Sequence, residues 1–380
     1  MKIEDWYREN FESDLLGKYI TLQMISPLLD CYTSLFEISV VGISEKGRNI
    51  PMIQLGNGPR KFLAWSQMHG NESTTTRAIF DLIKFFGQTK HFQSEINEFL
   101  NSYSFYIIPI LNPDGSVLYT RENANGVDLN RDAQNLSQRE SVCLRSVFDK
   151  LEPEGCFNMH DQRSIYGFDN GKPAIISFLS PSSDQERSIT SARRTAMEGI
   201  VRMNRYLEKK IPGNVGRYDD SFNADCVGDT FQMAGVPTIL FEAGHFKGDY
   251  MREKSRELIF YSVLSFFGLV GEKSEINFEE YFQIPENRKN YRDIIFRNVK
   301  VLQSPNLLDI AIQYHEVLSE GLITFDPYVE EVGNLKNIYG HIDEDLKGRE
   351  ILTKPAENLT DNVKVFEFVK NPGWIDDLLA

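Results

Sequence analysis

Positive charge is scarce in this sequence. Lys and Arg number 41 against 55 Asp and Glu, and the net charge is −14. A surface of that sign repels a phosphate backbone, which argues against nucleic acid as a partner. Long hydrophobic runs are lacking too. The longest, residues 258–270, is broken by Tyr261, Ser262 and Ser265, and falls short of the about 20 residues that cross a bilayer. The first residues, MKIEDWYRENFESDLLGKY, carry acidic groups where a secretion signal would be apolar. The expectation is therefore a soluble, cytoplasmic protein with no membrane contact. Cysteine is sparse: Cys31, Cys143, Cys156 and Cys226 form no C-x-x-C pair. A zinc ribbon is not expected, and the thiols read as reduced packing residues. No internal repeat and no low-complexity tract interrupts the chain.

What is present is an ordinary globular mixture, 41% apolar and 25% charged, over 380 residues. That length suits one large domain and a smaller one. Residues 1–36 read as a helical and irregular N-terminal extension. From residue 37 to 272, strand patterns alternate with helical ones. FEISVVGISEKGRNIPMIQLG reads as two strands about a turn, and KFLAWSQMHG as a buried strand. Residues 73–88 have apolar Ile79, Leu82, Ile83 and Phe86 at helical spacing. SYSFYIIPILNP, GCFNMH, PAIISFLS and VPTILFEAG read as further strands. Residues 138–151, 183–207 and 252–267 read as helices. The expected fold is α/β, a mixed central sheet flanked by helices. Residues 273–380 are expected to hold a polar linker and a small, mostly β domain, from runs such as DIIFRNVKVL, LLDIAIQYHEVL, GLITF and KVFEFVK.

Chemistry concentrates at predicted strand ends, where loops gather side chains in such folds. His69-Gly70-Asn71-Glu72 lies between a buried strand and a helix. A His and a Glu at that spacing can converge on one ion, and zinc accepts imidazole nitrogen and carboxylate oxygen. The plainer reading is a carboxylate favoured by the start of a helix. His160 ends the strand GCFNMH and is a third potential ligand, or else a hydrogen-bonded core histidine. Glu242 ends the apolar strand in PTILFEAGHF, where an unpaired carboxylate is costly to bury. It reads as a base beside an activated water or as a salt-bridged structural residue. Between them, NPDGSVLYTRENANGVDLNRD opens on a turn and carries Arg121, Asn130 and Arg131. The Arg fork suits a carboxylate or an oxyanion.

The order HxxE, NPDG, an arginine, GVDLNR, a strand-terminal His and FEAG resembles the zinc carboxypeptidase family, over roughly residues 37–270. The resemblance implies one zinc ion per chain, held by His69, Glu72 and His160. It implies that Glu242 is the general base for a zinc-activated water and that Arg121 stabilises the oxyanion. Asn130 and Arg131 would clamp the terminal carboxylate of a peptide, making the chain a metallocarboxypeptidase. Tyr218, 24 residues before Glu242, lies in the region of the family's substrate-capping tyrosine.

Two features depart from the family pattern: no motif anchors Tyr218 as the capping tyrosine, and the run after the third ligand differs. Where carboxypeptidase A-like enzymes commonly carry Ser-x-Tyr after the third ligand, this chain has Asp161-Gln162-Arg163. The stretch 219–232, expected to include the side-chain pocket, holds Asp219, Asp220, Asp225 and Asp229. An acidic pocket would favour a basic terminal residue, although helix capping or solvent exposure accounts for such acids equally well. Two other functions fit the motifs. One is a zinc-dependent amidase or deacylase acting on small acyl-amino acids or cell-wall peptides. The other is a non-catalytic binding module on the same fold.

Overall fold

The computed structural model describes residues 1–272, 274–301 and 304–351. They form two compact units. The first comprises Met1–Gln162 with Ala174–Asn287, and the second Arg163–Pro173 with the described residues from Arg288 onward.

The first unit is built on a mixed eight-stranded sheet. Its strands are β1 (Glu37–Ile43), β2 (Asn49–Leu55), β3 (Arg60–Ser66), β4 (Tyr103–Ile108), β5 (Gly155–Asp161), β6 (Ile176–Leu179), β7 (Val215–Arg217) and β8 (Thr238–Ala243). They lie in the order β1-β2-β4-β3-β5-β8-β6-β7. The central four, β4, β3, β5 and β8, run parallel, while β2 and β6 join them antiparallel. The helices are α1 (Ile3–Asn10), α2 (Leu22–Tyr32), α3 (Thr74–Gly87), α4 (Gln93–Ser102), α5 (Pro113–Leu118), α6 (Arg139–Leu151), α7 (Ser191–Leu207), α8 (Val227–Met233) and α9 (Glu253–Phe266).

Central parallel strands are covered on both faces, so β3 and β5 read as nearly continuous apolar runs. Alternation along them divides the core. Phe62, Ala64, Phe157, Met159 and Phe241 join residues of α3, α7 and α9 in the larger cluster. Leu63, Trp65 and Cys156 face Leu144, Phe148 and Phe231 of α6 and α8 in the smaller. Residues 1–36 contribute to the larger cluster. Trp6 is 2% exposed and meets Phe85 edge-on, with ring centroids 4.9 Å apart.

The long helix predicted from residue 183 begins later, at Ser191. The Thr190 hydroxyl accepts from Arg193 N at 3.2 Å, and the Asp184 carboxylate accepts from Ser188 N at 2.9 Å. Short polar side chains here satisfy the backbone donors that a helix would otherwise use, which leaves residues 183–190 as turns.

The second unit holds β9 (Tyr291–Val301), β10 (Leu307–Ser319), β11 (Leu322–Gly333), β12 (Tyr339–Asp345) and β13 (Glu350–Ile351). Their order is β11-β10-β9-β12, with β13 also paired to β9. Ile294, Phe296, Ile310, Ile312 and Val329 form its core. The run KVFEFVK lies outside the described residues. Among the described residues no helix is long and apolar enough to cross a membrane.

Candidate active site

The turn from β3 into α3 carries two of the candidate ligands, and the end of β5 carries the third. Strand β3 pairs with β5 in parallel, so its C-terminal turn and His160 lie at the same end of the sheet. Gln67 takes a left-handed conformation, φ 43°, and turns the chain immediately before His69. His69 Nδ1 lies 2.9 Å from Glu72 Oε1 and 3.1 Å from His160 Nδ1. His160 Nδ1 lies 2.8 Å from Glu72 Oε2. The possible ligand atoms of the three residues fall within 4.8 Å of one another.

This donor set fits a zinc ion. On its other side, His69 Nε2 lies 3.0 Å from Asp128 Oδ1. A carboxylate there holds the proton on Nε2 and leaves the Nδ1 lone pair facing the cluster. Two imidazole lone pairs and a carboxylate aimed at one point repel each other unless a cation lies between them. Burial pushes the Glu72 carboxyl upward, but positive charge on the imidazoles outweighs it and holds the group well below the usual range, the same preference for a cation at this point. Burial likewise opposes the charged form of Asp128, and His69 and Arg121 more than offset it.

Asp128 was not singled out from the sequence. It lies inside GVDLNR, and its Oδ1 also caps the short turn that follows, accepting from Asn130 N at 2.9 Å. Its approach to His69 is a tertiary contact. The same carboxylate orients Arg121, which donates to Asp128 Oδ2 from Nη2 at 2.9 Å and from Nε at 3.1 Å. Arg121 Nη1 then lies 3.3 Å from Glu72 Oε1.

Glu242 stands one strand from His160, because β8 pairs with β5 in the register His160↔Glu242. The residue is partly exposed, but its Oε2 is buried with no hydrogen-bond partner among the described residues. Burial raises its carboxyl well above the usual range, and the negative charges of Glu72 and Asp161 add to the rise. Asp161 faces the other way, at the start of α3, where it accepts from Thr74 N at 3.0 Å. Its own amide donates to Glu72 Oε2 at 3.2 Å.

Of the remaining candidates, Asn130, Arg131, Asp225 and Asp229 lie about the start of α8, and Tyr218 lies at the end of β7. Asn130 Oδ1 accepts from Val227 N at 3.2 Å, and Arg131 Nη1 donates to Asn130 O at 2.8 Å. Asp229 is 7% exposed and accepts from Asn223 N at 3.1 Å. Burial pushes its carboxyl up to about 6, and Arg131 is close enough to oppose the shift. Asp225 is exposed. Asp220 is taken up by Arg187 and the buried Arg193, and Asp219 is exposed beside Ser221. Tyr218 extends β7, its amide donating to Phe178 O at 3.0 Å.

Comparison with known proteins bears out the resemblance read from the motifs. The family model described as zinc carboxypeptidase matches residues 21–162, the stretch that carries His69, Glu72, Arg121 and His160. Carboxypeptidase M of Mus musculus is 27% identical over 176 residues, 40% of this chain and 40% of that protein. A protein of Sclerotinia sclerotiorum named inactive metallocarboxypeptidase ecm14 is 30% identical over 146 residues, 34% of this chain and 24% of its own. The chain therefore spans less than half the length of these relatives. The crystal structure of a metallo-carboxypeptidase from Burkholderia cenocepacia superposes with a TM-score of 0.52, at 15% identity, over 65% of this chain and 69% of that one. It shares the fold.

Proposed function

We propose that this chain, a relative of the zinc carboxypeptidases in sequence and fold, is a metallocarboxypeptidase that hydrolyses the C-terminal amide bond of a peptide. The observation that carries the reading is the convergence of His69 Nδ1, His160 Nδ1 and the Glu72 carboxylate within 4.8 Å, with Glu242 one strand away.

His69, Glu72 and His160 would hold one zinc ion per chain. When bound, zinc supplies Lewis acidity, acidifying water and polarising a carbonyl. The chain's own groups do the rest. Glu242, whose buried Oε2 has no hydrogen-bond partner among the described residues, takes a proton from the attacking water and passes it to the leaving amine. Burial and the negative charge of Glu72 hold that carboxyl high, which matches a group that must both accept and release a proton. Arg121 is fixed by Asp128 and directs its remaining N–H groups toward the oxygen on which charge develops. Arg131 is exposed, and beyond the bond from its Nη1 to Asn130 O its fork can pair bidentately with a substrate carboxylate, with Asn130 beside it. Tyr218, Asp225 and Asp229 would bound the terminal side chain.

The test is a mixed peptide library incubated with the zinc-loaded protein and with Glu242→Gln, read by mass spectrometry. The wild type should release single C-terminal residues, and the variant should retain zinc while losing about 10²- to 10⁴-fold in rate. Intact peptides alongside hydrolysed acyl-amino acids would make the protein an amidase. Full zinc occupancy without hydrolysis of any amide would make it a binding module.

A further inference from the structure

Everything after residue 272 was expected to be linker and separate domain, yet Asn287 enters the wall beside Glu242. Strand β6 runs antiparallel to β8 in the register Ser177↔Glu242. Directly opposed residues share a face of the sheet, so Ser177 flanks Glu242 on one side as His160 flanks it on the other. Ile176 and Phe178 point to the opposite face, into the larger core cluster.

Residues 285–287 dock on β7, the edge strand next to β6. Arg217 N donates to Pro285 O, and Asn287 N donates to Arg217 O, both at 2.9 Å. On β7 the partner of Ser177 is Gly216, which has no side chain to occupy that face. Asn287 Nδ2 reaches Ser177 Oγ at 3.0 Å and Gln162 Oε1 at 3.1 Å. Gln162 is 4% exposed and lies two residues beyond His160. Its Nε2 donates to Ala174 O at 2.7 Å, and its backbone N donates to Ala243 O at 3.0 Å. Both amide hydrogens of Asn287 are thus used within the protein. Every member of the chain Gln162–Asn287–Ser177 is neutral, so it brings no counter-charge to the wall beside Glu242.

We propose that Asn287 is a positioning residue of the hydrolytic site: by tying Ser177 to Gln162 it fixes Glu242 laterally against His160. The proposal rests on the reading of Glu242 as the base.

The test compares wild type, Glu242→Gln, Asn287→Ala, Ser177→Ala and the Ser177→Ala/Asn287→Ala double variant of the full chain. Asn287→Ala should lower kcat at least tenfold with KM within twofold, at unchanged zinc content and Tm. Ser177→Ala, a small change inside a strand, should do the same. The double variant should be no worse than either single variant, because the two residues act as one unit. Wild-type kcat in Asn287→Ala, or fully additive losses in the double variant, would overturn the proposal while leaving the base intact. A fall in kcat that tracks lost zinc or lowered Tm in both single variants would reduce Asn287 to a structural residue. Equal inertness of wild type and Glu242→Gln would remove the hydrolase reading and this proposal together.

Discussion

Asp229 shows how burial alone changes a side chain's chemistry. It lies in the acidic stretch 219–232, yet the four acids there differ. Asp220 is neutralised by Arg193 and Arg187, Asp219 and Asp225 are exposed, and Asp229 is buried with its carboxyl pushed up to about 6. A folded-state value above the ordinary Asp value of about 3.9 means that the native protein binds more protons than the unfolded chain between those two pH values. Stability contributed at this site therefore falls as pH rises from about 4 to about 6, then stays level. Asp229→Asn keeps an acceptor for Asn223 N and removes the charge. We expect it to raise stability at pH 7 by at most about 3 kcal/mol and to leave it unchanged at pH 4. Denaturant unfolding at the two pH values reads the difference, and equal effects at both would show that the carboxyl titrates normally.

At the scale of elements, the site depends on two backbones in contact. A Cβ at Gly70 would fall 2.0 Å from Gly115 C and 2.3 Å from Ser116 N, so the turn carrying His69 and Glu72 presses on the first turn of α5. Asn112 joins them further: its amide donates to Met68 O at 3.2 Å and accepts from Gly115 N at 2.8 Å. HxxE and NPDG are therefore one packed unit, although more than 40 residues separate their first members (112 − 69 = 43). Gly70→Ala cannot be absorbed by a side-chain rotation, because the obstructing atoms are backbone. It should cost about 3 kcal/mol or more, at or above the upper end for overpacking. It should also weaken zinc binding, because Glu72 moves with the turn. Thermal unfolding and zinc competition measure the two effects, and a variant with wild-type values for both would show that the turn can yield.

At the scale of the whole molecule, the N-terminal segment is tied into the first unit by a buried ion pair. Arg256 of α9 and Asp81 of α3 meet at 2.6 Å with both side chains fully buried. Asp81 also accepts from Glu12 N at 2.7 Å and from Tyr7 Oη at 3.1 Å, while Arg256 donates to Glu12 O and Leu15 O, each at 2.7 Å. Three stretches distant in sequence thus share one set of charges. Asp81→Ala would strip the buried guanidinium of its nearest carboxylate and leave it, among the described residues, only Glu253, at 3.2 Å; breaking a buried pair typically costs up to about 3–5 kcal/mol. The expected result is a lower Tm together with faster proteolysis within residues 1–20. Proteolysis confined to other regions would show that the segment is held by Trp6 and its aromatic neighbours instead.

The sequence by itself determined the α/β pattern and the likeness to the zinc carboxypeptidases. Both are local properties. Periodicity fixes strand or helix within a few residues, and HxxE, NPDG, GVDLNR and FEAG keep their spacing whatever surrounds them. Local pattern was also the source of its error at residues 183–190, where side-chain competition for backbone donors outweighed an apparent helical run. The tertiary structure alone decided the second functions of residues. Asp128 was not singled out in the sequence, but the loop that carries it folds against His69. Asn287 reads as linker, but docking on β7 carries it to Ser177 beside Glu242. Such contacts arise from sheet topology and register, which depend on how distant segments bury one another, and no local pattern encodes them.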